Sequence, residues 1–536
     1  MSLQPMNLNL YSALRASFPA DLDAVAIEAA GLYYTWRDLE RGSAMIANLL
    51  GDLGLPPGSR VAVQTEKSVE ALLLYLAVLR AGHVFVPLNT AYQAAEIAYF
   101  IADAAPAVFV CASRHFGWIS RLAFQAGTSQ VYTLDDDRSG TLLARAAAHS
   151  DQQTPAEVQA DDLAALIYTS GTTGRSKGAM LSHGNLLSNA QVLKTYWGWR
   201  NAAGPQGGDV LVHALPIFHV HGLFVAVHGA LLSGSRMIWF ARFDAAAVLA
   251  RLPDATVFMG VPTMYGRLLA EPGLDAVRCS RMRLFISGSA PLLAATFRQW
   301  QQRTGHTILE RYGMSETVML TSNPCDPGSG ERRGGTVGFP LPGVDLRLQD
   351  ERGQAVPVGE IGGIQVRGPN VFQGYWRQPE KTRDEFAVDA EGRRWFKTGD
   401  VGMIDGDGYV TIVGRSKDLI ISGGYNVYPA EVEGFLNALP GVAESAVIGA
   451  PHPDLGEAVM AVVVPRGGAD AGPCARPDSP GDPERFGLGL VNALRERIAH
   501  FKIPKRIVLA AELPRNAMGK VQKNLLREQH RHAFAD

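Results

Sequence analysis

The chain has 536 residues, 47% of them apolar and 19% charged, enough to bury more than one core and, at this length, to form two to four domains. A formal net charge of −2 supplies no basic field of the kind that holds a protein to a phosphate backbone, which argues against a nucleic-acid partner. Cys111, Cys279, Cys325 and Cys474 stand apart without CxxC spacing, which argues against a zinc site or a disulfide framework and fits a reducing compartment.

The N-terminal stretch MSLQPMNLNLYSALRASF lacks a basic segment followed by an apolar one and a small-residue cleavage site, so the cytoplasm is the expected location. The most apolar run, ALLLYLAVL at 71–79, stops at Arg80. It is far shorter than the roughly 20 residues of a membrane span and reads as a buried helix capped near Thr65 or Ser68. From about residue 25 to 315, strand-like runs (RVAVQT, HVFVPL, AVFVC, ATVFMG, RLFISG) alternate with helix-length amphipathic segments. This is the pattern of α/β layers with largely parallel sheets. Between 335 and 415 short strands and Gly-bounded turns (DLRLQDERG, GGIQVRG, GYVTIVG) suggest a small β-rich subdomain. GRSKDLIISGGYNVYPAEVEGFLNAL (414–439) closes it and opens a compact α+β piece, which places a boundary near 416–418. Within that piece, PRGGADAGPCARPDSPGDPERFG (465–487) has almost no large apolar residue and reads as a mobile surface loop. No repeat or heptad is visible.

The segment YTSGTTGRSKGAML (168–181) crowds hydroxyls, glycines and cations together, as a phosphate site does when backbone N–H groups must approach an anion closely. It is not a Walker A loop: counted from Gly171, the places of Gly-Lys-Ser/Thr hold Ser176, Lys177 and Gly178. LAALIY (163–168) reads as a strand entering the loop and GNLLSNAQVLKTYW (184–197) as a helix after it.

Further segments follow in order: LPIFHVHG (215–222), ISGSAP (286–291), ERYGMSET (310–317), KTGD (397–400), GRSKDLI (414–420) and PRNAMGKVQK (514–523). Together with the loop, they resemble the adenylate-forming superfamily of acyl-CoA synthetases, peptide-synthetase adenylation domains and luciferases, and within it the malonyl-CoA synthetases. The resemblance implies an α/β fold: a large N-terminal domain (1–416) of layered α/β subdomains plus a β-rich one, and a small mobile α+β domain (418–536) turning on Lys417. It also implies ATP, Mg²⁺ and CoA as cofactor and co-substrates. A carboxylate attacks the α-phosphate to give an acyl-adenylate and pyrophosphate, and the CoA thiol then displaces AMP.

By the same resemblance Thr169, Ser170, Gly171, Thr172, Thr173 and Lys177 contact the β- and γ-phosphates. Ser315, where Thr is more usual, serves the α-phosphate, and Glu316 is the Mg²⁺ ligand, a hard oxygen donor. Ser289, Ala290 and Tyr312 form the adenine slot. Asp400 accepts the ribose hydroxyls with Arg415 beside it, and a carboxylate can take two such bonds. Lys520 bridges the substrate carboxylate and the α-phosphate during adenylation. Gly423 and Gly424 face CoA after the domain swings, where glycine lets the pantetheine arm pass close to the backbone.

The resemblance also implies that His219 is the gate of the acyl pocket. His219 and His221 would share a face of a strand, and a metal pair there lacks any cluster to complete it. A dicarboxylate needs a partner for its second charge, and an arginine fork suits it. Arg283 matches the arginine assigned that role, and on a strand it would share a face with Ser287, toward the nucleotide. Val220 and Met319 complete the acid pocket. Val220, Val318 and Leu320 stand where the malonate enzymes carry polar residues, which opens the pocket to methylmalonate. The alternatives are a ligase for another short or branched acid and an adenylation enzyme that loads a carrier protein.

Overall fold

A computed structural model describes residues 8–169, 176–201, 204, 207–466 and 483–534. Ser170, Gly171, Thr172 and Thr173 lie outside them, as does the 467–482 part of the Pro/Gly-rich segment.

Two large sheets form the N-terminal part. In the seven-stranded sheet Arg60–Gln64, Val84–Pro87, Val108–Cys111 and Gln130–Thr133 run parallel. Their Val/Phe-rich runs are buried on both faces, as strands covered by helices on each side must be. Leu163–Thr169 joins this group and turns back as an antiparallel hairpin, Lys177–Ser182, to which the two-residue strand Gly374–Tyr375 adds at the edge. The expected order of strand, loop and helix is therefore interrupted: a second strand, Lys177–Ser182, pairs with the first before the helix begins. The expected helix starts afterwards, at His183–Tyr196, with Ser182 and Asn185 forming a reciprocal capping box. Its N-terminus is separated from the loop by a whole strand.

In the nine-stranded sheet Val210–His213, Arg236–Trp239, Val257–Gly260, Leu284–Ser287 and Ile308–Tyr312 are parallel, so their carboxyl ends share one edge. Between the sheets lies the apolar helix Val69–Arg80, every residue of it buried. Ser68, not Thr65, caps it by accepting from the Ala71 N–H. Its guanidinium terminus, Arg80, is satisfied by Tyr11, Gln153 and the Glu40 carbonyl rather than by solvent. Among the described residues no helix is long and apolar enough to cross a membrane.

A five-stranded antiparallel sheet follows, with Arg394–Ile404 paired to Val410–Arg415. The chain leaves it at Arg415, passes a 3₁₀ turn at Ser416–Asp418, and enters a separate sheet at Ile420. That sheet, with Pro429–Asn437, Pro483–Arg495 and Lys523–Gln529, builds its own two apolar clusters. Met518 is an exception: it packs into the main N-terminal core.

Candidate active site

The carboxyl ends of the nine-stranded sheet, the hairpin of the seven-stranded sheet and the C-terminal turn before Lys520 converge. Tyr312 ends its strand and donates its hydroxyl to Asp400 Oδ2 at 2.5 Å, and Arg415 Nε lies 3.1 Å from Asp400 Oδ1. Asp400 and Arg415 are direct cross-strand partners, which is why residues fifteen apart in sequence meet. Burial and the Asp400 charge push the Tyr312 phenol well above its ordinary range, so it remains a donor.

Lys520 is presented by a turn whose Asn516 Oδ1 accepts both the Met518 and Lys520 N–H groups at 3.0 Å. Gly519 in that turn has φ +72°, and a Cβ there would lie 2.8 Å from Thr263 Oγ1, so the turn sits directly on the N-terminal domain. Burial first, and then the charge of Arg415, lower the Lys520 ammonium to about 8. The C-terminal lysine thus stands within electrostatic reach of Asp400 and Arg415.

Glu316 is buried in a turn, with 5% exposure, and accepts from the Tyr375 hydroxyl at 3.0 Å. Burial raises its carboxyl above the ordinary value, and among the described residues no cation is ion-paired with it. A buried carboxylate left without an ion-paired cation among the described residues suits a hard cation such as Mg²⁺. Among the described residues no group of three His, Cys, Asp or Glu could hold a metal by itself, and His219 with His221 does not form one. Lys177 lies over the Tyr375 ring at 5.1 Å, opposite Thr169 in the hairpin register, and burial lowers its ammonium. Ser315 is half-buried one residue before Glu316.

The histidines are not on a strand. Val220 precedes a π-helical stretch, His221–Val227, and the His219 Nδ1 accepts from the His221 N–H at 3.3 Å. His221 Nδ1 lies 3.3 Å from Ser289 Oγ, so the histidine segment touches the loop after Leu284–Ser287, where Ser289 has φ +71°. Burial lowers His219 to about 4 and drives His221 well below its ordinary value, so both are neutral at pH 7. Ala290 is half-buried beside Ser289, while Val220 and Met319 are buried, Met319 packing against Gly313.

Arg283 is not at the nucleotide side. It lies at the amino end of Leu284–Ser287, where its Nε and Nη2 grip Asp209 and its Nη1 donates to the Trp197 carbonyl at 3.1 Å. Sharing a face with Ser287 does not bring it near, because four residues of strand cover roughly 13 Å. The arginine that does reach the site is Arg311, from the ERYG segment. It is 4% exposed, its Nε and Nη2 have no hydrogen-bond partner, and no carboxylate pairs with it among the described residues. A Cβ on Gly288 would lie 2.3 Å from Arg311 Nη1, so glycine there makes room for the guanidinium. Its charge depresses both His219 and His221, and burial pulls Arg311 itself down to about 9. Arg311 was legible only as a charge inside the buried strand run ILERY, an anomaly for a strand covered on both faces.

Gly423 and Gly424, with φ +57° and +83°, form the tight turn of the Ile420–Ser422/Tyr425–Val427 hairpin, and that geometry alone calls for glycine. A Lys417 side chain lies in the 3₁₀ turn between the two domains' sheets.

The paired Asp400 and Arg415, the buried Glu316 and a lysine presented by the C-terminal domain thus meet beside the Leu163–Thr169/Lys177–Ser182 hairpin. The chain belongs to the AMP-binding enzyme family, whose model matches residues 15–376, with the AMP-binding enzyme C-terminal domain matched at 431–520. Among solved structures it is similar to ATP-bound MatB from Rhodopseudomonas palustris, at 49% identity over 99% of this chain and 100% of that one, with a TM-score of 0.91. The apo form of the same protein superposes at 0.80. Curated relatives include the malonate–CoA ligase of Arabidopsis thaliana, 32% identical over 97% of this chain and 88% of that one. They also include a feruloyl-CoA synthase from an Amycolatopsis species, 36% identical over 94% and 96%.

Proposed function

We propose that this protein is a malonyl-CoA synthetase, converting ATP, malonate and CoA to malonyl-CoA, AMP and pyrophosphate through a malonyl-adenylate. The observation that carries the acid's identity is Arg311: a buried guanidinium, beside the acyl-side histidines and the adenine-slot loop, whose Nε and Nη2 have no hydrogen-bond partner and which no carboxylate pairs among the described residues. An uncompensated buried cation is costly, and a substrate that brings a second carboxylate removes the cost. Monocarboxylic acids, ferulic acid among them, leave it unpaired.

The other residues then take successive parts. Lys520 neutralises the attacking carboxylate and the α-phosphate together, which matters because both reactants are anions. Thr169, Ser170, Gly171, Thr172, Thr173, Lys177 and Ser315 hold the phosphates. Asp400, exchanging its Tyr312 and Arg415 contacts for ribose hydroxyls, fixes the nucleoside against Ser289 and Ala290. Glu316 would hold Mg²⁺, which supplies charge neutralisation at the phosphates. Neutral His219 lines the entrance without adding a competing charge. After adenylation the C-terminal domain turns about Lys417 and brings the Gly423–Gly424 hairpin to the thiol side. The free thiols of Cys111, Cys279 and Cys325 suit a reducing cytoplasm. Buried Val318 and Leu320 favour acceptance of methylmalonate as well.

Pyrophosphate release across malonate, methylmalonate, succinate, acetate, butyrate and ferulate tests this, with wild type and Arg311→Met. Malonate preference that collapses by about 100-fold or more in kcat/KM in the variant is expected for a lost buried charge pair. A monocarboxylate turned over as well as malonate, with Arg311→Met indifferent, refutes it.

A further inference from the structure

The segment 370–376 laces the Glu316 turn to the strand that follows the phosphate loop. Asn370 Nδ2 donates to the Thr317 and Met319 carbonyls at 2.7 and 3.0 Å, and the Phe372 N–H donates to the Glu316 carbonyl at 2.8 Å. The Gln373 and Trp376 N–H groups then donate to the Met180 and Gly178 carbonyls at 3.0 and 2.8 Å. Gly374 has φ +146°, and a Cβ there would lie 2.5 Å from Thr382 Cγ2, so the strap takes this course only with glycine.

Tyr375 is at its centre. Its hydroxyl donates to Glu316 Oε1 at 3.0 Å, one face receives Lys177 Nζ at 5.1 Å, and Phe372 meets the ring edge-on at 4.9 Å. A carboxylate on a turn rotates unless something holds one oxygen. With Oε1 held, Oε2 is left with a fixed direction.

We propose that Tyr375 is a positioning residue for metal-bound ATP: its hydroxyl fixes the Glu316 carboxylate for the cation while its ring holds Lys177 alongside. One side chain thereby registers the metal-bearing carboxylate against the phosphate-binding hairpin. The inference rests on the ATP-dependent reading above.

Calorimetric titration of the full-length protein with ATP, with and without Mg²⁺, tests it in wild type and Tyr375→Phe. The Mg²⁺-linked gain in ATP affinity should fall by about 10-fold, the lower end of the effect of groups that orient a metal ligand, with metal-free affinity unchanged. Tyr375→His, which keeps a ring and an N–H donor, should recover part of the gain. In a Glu316→Gln background, Tyr375→Phe should add nothing. An unchanged Mg²⁺ linkage, an equal loss with and without Mg²⁺, or full additivity with Glu316→Gln overturns the proposal. If Tyr375→Phe does not fold, Tyr375→Met removes hydroxyl and ring together: some metal-free ATP affinity should go with the Lys177 contact, a further loss should appear only with Mg²⁺, and the absence of that Mg²⁺-specific loss overturns the proposal. Wild-type ATP binding that ignores Mg²⁺, with no pyrophosphate released from any acid, overturns the underlying reading. Normal wild-type linkage with an indifferent Tyr375→Phe overturns only the role of Tyr375.

Discussion

Replacing Arg283 by Met should cost stability and leave acid selection alone. The Asp209 side chain is fully buried and that of Arg283 16% exposed, so the variant strands a carboxylate in the interior. Removing one member of such a pair costs about 3–5 kcal/mol. The lower figure applies here, because the Thr256 hydroxyl and the Arg200 N–H still donate to Asp209 at 2.7 and 2.8 Å. Burial alone would lift the Asp209 carboxyl; Arg283 first, then the Arg200 N–H and the Thr256 hydroxyl, together more than offset it and hold it below the ordinary value. In wild type that contribution is present above the unfolded carboxyl range and is lost as pH falls through the depressed one. Without the arginine the carboxyl rises, so the deficit should shrink on acidification. Urea unfolding followed by tryptophan fluorescence reads this, since the Trp197 carbonyl is itself an Arg283 acceptor and its indole is buried. Arg283→Met with Asp209→Asn should recover most of the loss. A variant as stable as wild type but unable to distinguish malonate from acetate would refute the reasoning and restore Arg283 to the acid pocket.

Arg311→Met should do the reverse, raising the urea midpoint while abolishing malonate turnover, because it deletes a buried charge that no carboxylate pairs among the described residues. Gly288→Ala should displace the Arg311 guanidinium, raising KM for malonate with a melting temperature close to wild type. Lys520→Met should suppress pyrophosphate release far more than thioester formation from supplied malonyl-adenylate, and kcat/KM for adenylation should fall as pH rises through about 8, where this ammonium deprotonates. Glu310, raised to about 7 by burial, binds its proton more tightly folded than unfolded. Stability should therefore decline as pH rises from the ordinary carboxyl range through 7, and Glu310→Gln should flatten that slope in pH-dependent melts.

Local patterns were the legible part. The alternation of apolar runs gave the parallel sheets, and the ordered motifs located Glu316, Asp400, Arg415 and Lys520, which the fold gathers from four separate segments. Three readings failed for one reason: a face or a neighbour in sequence was taken as a place in space. Arg283 shares a strand face with Ser287 but sits at the far end of it. His219 and His221 belong to a loop entering a π-helical stretch. The helix after the phosphate loop is displaced by a strand whose pairing partner, Leu163–Thr169, cannot be inferred from periodicity alone. Arg311 and Tyr375 escaped because their significance is relational: one has no carboxylate paired with it among the described residues, the other joins Glu316 to Lys177.

Met518, two residues before Lys520, belongs to the core of the domain it visits rather than the one it comes from. Burying such a side chain contributes about 1.5–3 kcal/mol. If the C-terminal domain turns away after adenylation, as the proposed function requires, this methionine must be wetted once per turnover and dried again on return. On that reading the thioether would be a removable stopper, its apolar contact lengthening the stay of Lys520 at the site.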